Sequence, residues 1–299
     1  MSYFIRRKKN NYYYVNPDKF VLSFYRSHDK IIGEMIDMKL KDKVAVVTGG
    51  AKGNGLGIVE VFLKYGAKVI VLDRDPEVEK VALSFQGKGM QVSGMIVDIT
   101  DQKKVEEAIR FVAEKYGRID ILVNNAGVAK LQKFLEMSNE VRDFHFDVNI
   151  KGTWNVTRAV LPYMERQKYG KIVNLSSVTG PLVADTGEVA YATTKAALIG
   201  FTKALAIETV DYNINVNAIC PGYIMTPMVD GIAKDTNASD PQSVIDGIAA
   251  GIPMKRLGTI QELGELAAFL ASNESNYLTG TAIVIDGGST LPETKSVGV

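Results

Sequence analysis

From Lys39 onward the chain alternates short apolar runs rich in β-branched residues with longer amphipathic stretches. The runs are KVAVVT (43–48), KVIVLD (68–73), QVSGMIVD (91–98), IDILVNN (119–125), KIVNLSS (171–177), INVNAI (214–219) and AIVID (282–286). Between them, stretches such as DQKKVEEAIRFVAEKYG (101–117) and QELGELAAFLAS (261–272) place apolar residues at helical spacing. Strand, helix, strand repeated in this way predicts a parallel sheet covered by helices on both faces. No linker, low-complexity segment or short-period repeat divides residues 39–299. The expected architecture is α/β and doubly wound, a seven-stranded, mostly parallel sheet in a single domain over 38–299.

Residues 1–37 have a different character. They are basic and aromatic, and neither helical nor strand periodicity is sustained in MSYFIRRKKNNYYYVNPDKFVLSFYRSHDK. Basic residues beside tyrosines suit a nucleic-acid or membrane arm; a disordered tail is a second reading. The third, which we favour, is that the segment is not natively translated. Its Asn, Lys, Tyr, Phe and Ile bias is what AT-rich non-coding sequence gives when read through, and Gly33-Glu34 is compatible with a purine-rich ribosome-binding sequence before Met38. On either of the last two readings the segment is dispensable for the domain.

Composition narrows the chemistry. A net charge of +1 over 299 residues gives no global field directed at nucleic acid. The single cysteine, Cys220, excludes an intrachain disulfide, and His28 and His145 stand in no metal-type spacing, so no metal is expected. No apolar run reaches membrane-span length and no secretory pattern opens the chain, so no membrane partner and a cytoplasmic location are expected.

In open parallel sheets, ligands bind outside the carboxyl ends of the strands, and the unusual residues of this chain fall there. TGGAKGNGLG (48–57) runs from the first strand into a helix, with Gly49, Gly53 and Gly55 set as G-x-x-x-G-x-G. Glycines at that place leave room for a pyrophosphate, and the amides of the helix N-terminus point at it. Asp73 ends the second strand, where an acidic residue holds the adenosine ribose hydroxyls. NNAG (124–127) follows the fourth strand, Ser176-Ser177 the fifth and Cys220-Pro221-Gly222 the sixth. YATTK (191–195) sets Tyr191 and Lys195 one helical turn apart on one face. Taken alone, that pair also reads as a surface tyrosine and a solvated lysine.

With these motifs in order, residues 39–299 resemble the short-chain dehydrogenase/reductase superfamily. The resemblance covers TGGAKGNG, Asp73, VDIT with Asp98, NNAG, VNIKG with Asn149, NLSSVTG, YATTK and CPGYIMTPM. It implies a Rossmann-type catalytic domain that interconverts a secondary alcohol and a ketone or aldehyde, with NAD or NADP as cofactor and a small-molecule substrate. It implies that Tyr191 is the acid and base, Lys195 favours its phenolate and holds the nicotinamide ribose, Ser177 polarises the carbonyl, and Asn149 holds a water in a proton relay. Gly49, Lys52, Gly53, Asn54, Gly55, Asp73, Asp98, Ile99, Asn125, Ala126, Gly127, Pro221, Gly222 and Thr226 would line the cofactor groove. Asn54 stands where the family is usually aliphatic. A 3-oxoacyl thioester reductase and a non-catalytic dinucleotide sensor are the rival readings; the complete set Asn149, Ser177, Tyr191 and Lys195 argues against the sensor.

Three further expectations follow. Asp73 should repel a 2′-phosphate and favour NAD, against Lys52 and Arg74, which could hold one. The stretch 226–256 is long enough for a lid, and Met228, Val229, Ile232 and Ile248 could cover a substrate or pack a helix pair. The helices near 152–165 and 189–208 carry apolar residues on more than one stripe, namely Val156, Val160, Leu161, Ala197, Ile199, Phe201 and Leu205. With the resemblance, that surplus points to a homotetramer.

Overall fold

The computed structural model describes residues 38–292 and the backbone of two short N-terminal strands. The chain divides into two units, Met1–Lys39 and Leu40–Val299. In the first, among the described residues, Arg7–Lys8 and Asn11–Tyr12 pair antiparallel. The expected tail over 1–37 otherwise lies outside the described residues.

The second unit is built on β1 (Val44–Thr48), β2 (Lys68–Asp73), β3 (Val92–Ile96), β4 (Ile121–Asn124), β5 (Gly170–Leu175), β6 (Ile214–Pro221) and β7 (Ala282–Ile285). Their order across the sheet is β3-β2-β1-β4-β5-β6-β7, and every pairing is parallel. The chain therefore starts in the middle, winds outward to β3 and crosses back to β4. That reversal opens a crevice between the carboxyl ends of β1 and β4. The run predicted through Asp98 ends earlier, at Ile96, because Asp98 Oδ1 accepts from the Thr100 amide (2.9 Å) and turns the chain.

Alternation along β1 feeds two cores. Ala45 and Val47 join Phe62, Val71 and Leu263 on one face, whereas Val44 and Val46 join Ile109, Val156 and Met164 on the other. The helices are α1 (Gly53–Lys64), α2 (Glu77–Gln86), α3 (Gln102–Tyr116), α4 (Asn139–Phe146), α5 (Thr153–Gln167), α6 (Val189–Thr209), α7 (Pro227–Thr236), α8 (Pro241–Gly251) and α9 (Ile260–Ala271). Helix α3 starts where Asp101 accepts from the Lys104 amide and stops at left-handed Gly117. Helix α9 opens with a capping box between Thr259 and Glu262.

One expectation needs correction in part, and another divides between its two readings. Val156, Val160 and Leu205, read as surplus apolar stripes, are buried within the subunit because they face the sheet. Of the other residues named there, Ala197 is exposed and Leu161, Ile199 and Phe201 are half-buried; the same helices also expose Trp154 (54%), Val189 (45%) and Ile207 (77%), with the Trp154 and Phe201 ring centroids 5.6 Å apart. The stretch 226–256 resolves both earlier readings. Val229 packs with Ile252, Leu257 and Ile248 between α7 and α8, whereas Met228 and Ile232 are exposed and line the main cleft.

Helices α1 and α9 cross so closely that glycine stands on both sides. A Cβ on Gly264 would lie 2.6 Å from Gly57 O and 2.7 Å from Val61 Cγ2. Alanine at an exposed helical site gains up to about 1 kcal/mol over glycine. Here its methyl meets backbone that cannot rotate away, a clash of roughly 1–3 kcal/mol. Gly264→Ala should therefore lower stability in urea unfolding despite its better helix propensity; a gain would mean that the crossing is looser than described.

Candidate active site

The glycine turn leads from β1 into α1. Gly53 has φ +57°, which side chains rarely adopt, and a Cβ on Gly55 would run into the Gly49 carbonyl and come 2.5 Å from Asn125 Nδ2. The turn is fastened from β4. Asn125 Nδ2 donates to Thr48 O (3.0 Å) and Gly49 O (2.9 Å), and Thr48 Oγ1 accepts from the amides of Asn125 (3.1 Å) and Ala126 (3.0 Å). Helix α1 begins at Lys52 with no side-chain cap and no acidic residue in its first turn, so its leading amides face the cleft without a protein anion against them. This cradle fits the pyrophosphate of a dinucleotide. Asn54 lines it, with Oδ1 buried and without a partner.

At the end of β2, Asp73 accepts two backbone amides, Ala51 N at Oδ2 (2.9 Å) and Asp75 N at Oδ1 (3.0 Å). Lys52 Nζ pairs with Asp75 (3.2 Å), and the Arg74 guanidinium lies 5.6 Å from the Phe144 ring centroid. Asp98 and Ile99 line the same cleft; Ile99 packs where a Cβ on Gly152 would be, and Asn155 Nδ2 donates to its carbonyl (3.0 Å).

Between α4 and α5 the helix widens into a π turn, Asp147–Gly152, that contains Asn149. Such bulges recur at functional sites. The Asn149 amide is fully used: Oδ1 accepts from Val128 N (2.8 Å), and Nδ2 donates to Val128 O (3.0 Å) and to Thr194 Oγ1 (2.9 Å). Thr194 Oγ1 in turn donates to Tyr191 O (2.8 Å). Thus one buried side chain joins the NNAG loop, the π turn and α6.

Helix α6 carries Tyr191 and Lys195 over the end of β5. Ser176 Oγ donates to Lys195 O (2.7 Å), Lys195 Nζ donates to Leu175 O (2.7 Å), and Nζ lies 5.6 Å from the Tyr191 ring centroid. Burial lowers the Lys195 ammonium to about 8. Burial also raises the Tyr191 hydroxyl; a hydrogen bond to Ser177 pulls it back and Glu188 pushes it further up. Both shifts disfavour the charged form, as loss of water does to an ammonium and a phenolate alike.

A cleft of about 1510 Å³ collects Gly49, Lys52, Gly53, Asn54, Asp73, Asp98, Ile99, Asn125, Ala126, Gly127, Ser177, Tyr191, Lys195, Pro221, Gly222 and Thr226. Gly55 and Asn149 stand just behind it, in contact with Gly49 and Gly127. Sequence spacing missed Thr48, Val128, Thr194 and the Leu175 carbonyl; two of these act through backbone atoms, which no residue pattern reveals. His145, in the last turn of α4, is a buried clasp: Nε2 accepts from Lys130 N (3.0 Å) and Nδ1 meets Val141 O (2.8 Å). Cys220 is buried behind Ser176.

The family profile described as enoyl-(acyl carrier protein) reductase matches residues 49–290. Oxidoreductase UcpA of Escherichia coli (strain K12) is 57% identical over 261 residues, 87% of this chain and 99% of the relative. The 3-oxoacyl-(acyl-carrier-protein) reductase FabG of Thermotoga maritima is 39% identical over 252 residues, 84% of this chain and 99% of the relative. L-sorbose reductase from Gluconobacter frateurii, solved with NADPH and L-sorbose, superposes with a TM-score of 0.82 at 32% identity, over 86% of this chain and 99% of that one.

The Asn149–Thr194 link can be broken at nearly constant volume. Thr194→Val leaves a buried amide proton unpaired, which costs about 1–3 kcal/mol. Chemical denaturation should show that loss, and Thr194→Ser, which keeps the hydroxyl, should recover most of it.

Proposed function

The chain belongs to the short-chain dehydrogenase/reductase family, and on that premise we propose that this oxidoreductase interconverts a secondary alcohol and a ketone or aldehyde with NAD(H). The observation that carries the reading is the meeting of Ser177, Tyr191 and Lys195 with the glycine turn in one cleft. When bound, the nicotinamide supplies or takes the hydride. The residues of the chain handle binding and protons. Ser177 and Tyr191 both present hydroxyls to a carbonyl oxygen; Tyr191 gives its proton in reduction and takes one in oxidation. The ammonium of Lys195 is the proton reservoir behind it, since burial brings it close to neutral pH. Asn149 holds the π turn against the NNAG loop and α6, and its side-chain Oδ1 and Lys195 Nζ both border Gly127.

Preference for NAD over NADP rests on Asp73 and Asp75. The Asp73 carboxylate is fixed by two amides, whereas Lys52 is already paired with Asp75. A 2′-phosphate would have to displace a held carboxylate, a cost of several kcal/mol, for solvent-screened contacts that return roughly 1 kcal/mol or less each. The FabG relative supports a second substrate reading, a 3-oxoacyl thioester. The absence of a basic surplus, net charge +1, gives an acidic carrier protein no general field to follow.

The exposed Trp154 and Ala197 and the half-buried Phe201 border a shallow apolar hollow of about 290 Å³ on α5 and α6, which supports burial against other copies in a tetramer. Light scattering at micromolar concentration should give the tetramer mass, and a monomer mass would refute it. For the chemistry, Tyr191→Phe should keep thermal stability and cofactor binding while turnover falls on the order of 100-fold or more. Asp73→Ala should move kcat/KM from NADH toward NADPH. Undiminished turnover in the first variant, or no shift in the second, would overturn the corresponding assignment.

A further inference from the structure

The cleft has charge of one sign beyond Tyr191. Of its basic residues, Lys52 and Arg74 flank Asp73 at the adenosine end, and Lys195 is buried beneath Tyr191. On the side where a substrate would enter, the described charged residues of the lining are the carboxylates Asp185, Glu188 and Asp235, set among Val183, Tyr223 and Met228. Two of them are close enough to act on the hydroxyls there. Glu188 acts on both Tyr191 and Tyr223, and Asp185 acts on Tyr223.

Position and partners distinguish what these carboxylates can bind. Glu188 is half-buried at the N-terminal end of α6, three residues before Tyr191, and Oε2 accepts from Asp185 N (3.2 Å). The helix dipole and that amide already offset its charge. It therefore does not require a cation, yet it keeps lone pairs directed to donors. An anionic substrate would meet like charge with no counter-ion among the described residues on this side of the cleft. A purely apolar alcohol would strip water from the carboxylates without replacing its hydrogen bonds. Hydroxyl groups satisfy both conditions, since each donates to a carboxylate at no cost in charge.

On the oxidoreductase reading of this cleft, we infer that the substrate is an uncharged, hydroxyl-rich carbonyl compound or its alcohol, of the polyol, aldose or ketose class, with hydroxyls near the reacting carbon held by Asp185 and Glu188. A thioester on an anionic carrier does not match this half of the cleft.

The test measures kcat/KM of the purified full chain with a polyol, the aldonate and the amino sugar of the same carbon number, and an unsubstituted secondary alcohol of equal length. The polyol should exceed each of the others by about tenfold or more. Glu188→Gln keeps an acceptor for Asp185 N but removes the charge, and Asp185→Asn does the same at the rim. In both variants the excess of polyol over aldonate should fall by about tenfold, mainly through KM, with melting temperature and NADH fluorescence titration reporting that fold and cofactor site are intact. A wild-type preference for the aldonate, the amino sugar or the plain alcohol overturns this inference and leaves the oxidoreductase reading standing; so does an unchanged ratio in both variants. Cofactor binding with no turnover of any panel member overturns the oxidoreductase reading, and this inference with it.

Discussion

The Asn149 side chain is the constraint on which the site depends. It makes three hydrogen bonds, to both backbone atoms of Val128 and to the hydroxyl of Thr194, so that both amide protons and Oδ1 are engaged. A buried amide of this kind is stable only when every partner is present, since any one left out strands a polar group in low dielectric. The loop after β4, the π turn and helix α6 are thereby held in one relative placement. The glycine turn joins the same assembly one step away, through Asn125 and Thr48. The cleft is thus walled by backbone that side-chain amides fasten from behind.

Burial sets the titration behaviour inside that frame. Lys195 is lowered to about 8 and Tyr191 is raised, both chiefly because the charged form has lost water. The usual picture, in which the lysine charge lowers the phenol, needs both groups charged at one pH. In the free protein their shifts run in the opposite direction. A positive charge arriving beside Tyr191 would favour the phenolate and work against that raise.

The parallel sheet was legible because its central strands are buried on both faces and read as near-continuous apolar runs; β1 shows this in Val44–Thr48, all buried, whereas the edge strands β3 and β7 are partly exposed. The residues of the cleft were legible because strand ends must turn, and turns at a crevice select Gly, Asn, Asp and Ser. What the sequence did not disclose has a common cause. The π turn at Asn149 depends on how many residues fit between packed helices, and the Val128 and Leu175 contacts are made by backbone atoms that any residue carries. The apolar stripes of α5 and α6 misled for a related reason. Val156, Val160 and Leu205 look surplus on a helical wheel, but a helix pressed into a twisted sheet buries a wider arc than one narrow stripe.

The π turn also limits how the chain length can vary. A regular α-helix advances roughly 100° per residue, from about 3.6 residues per turn. A π turn takes up one residue more than the α turn it replaces over about the same rotation, so deleting one residue within Asp147–Gly152 would let α4 and α5 join as an ordinary helix with Val156, Val160 and Met164 still facing the sheet. What such a deletion would remove is the widened turn that sets Asn149 between Val128 and Thr194. The extra residue therefore belongs to the inner wall of the cleft, and the outer surface of the subunit would be much the same without it.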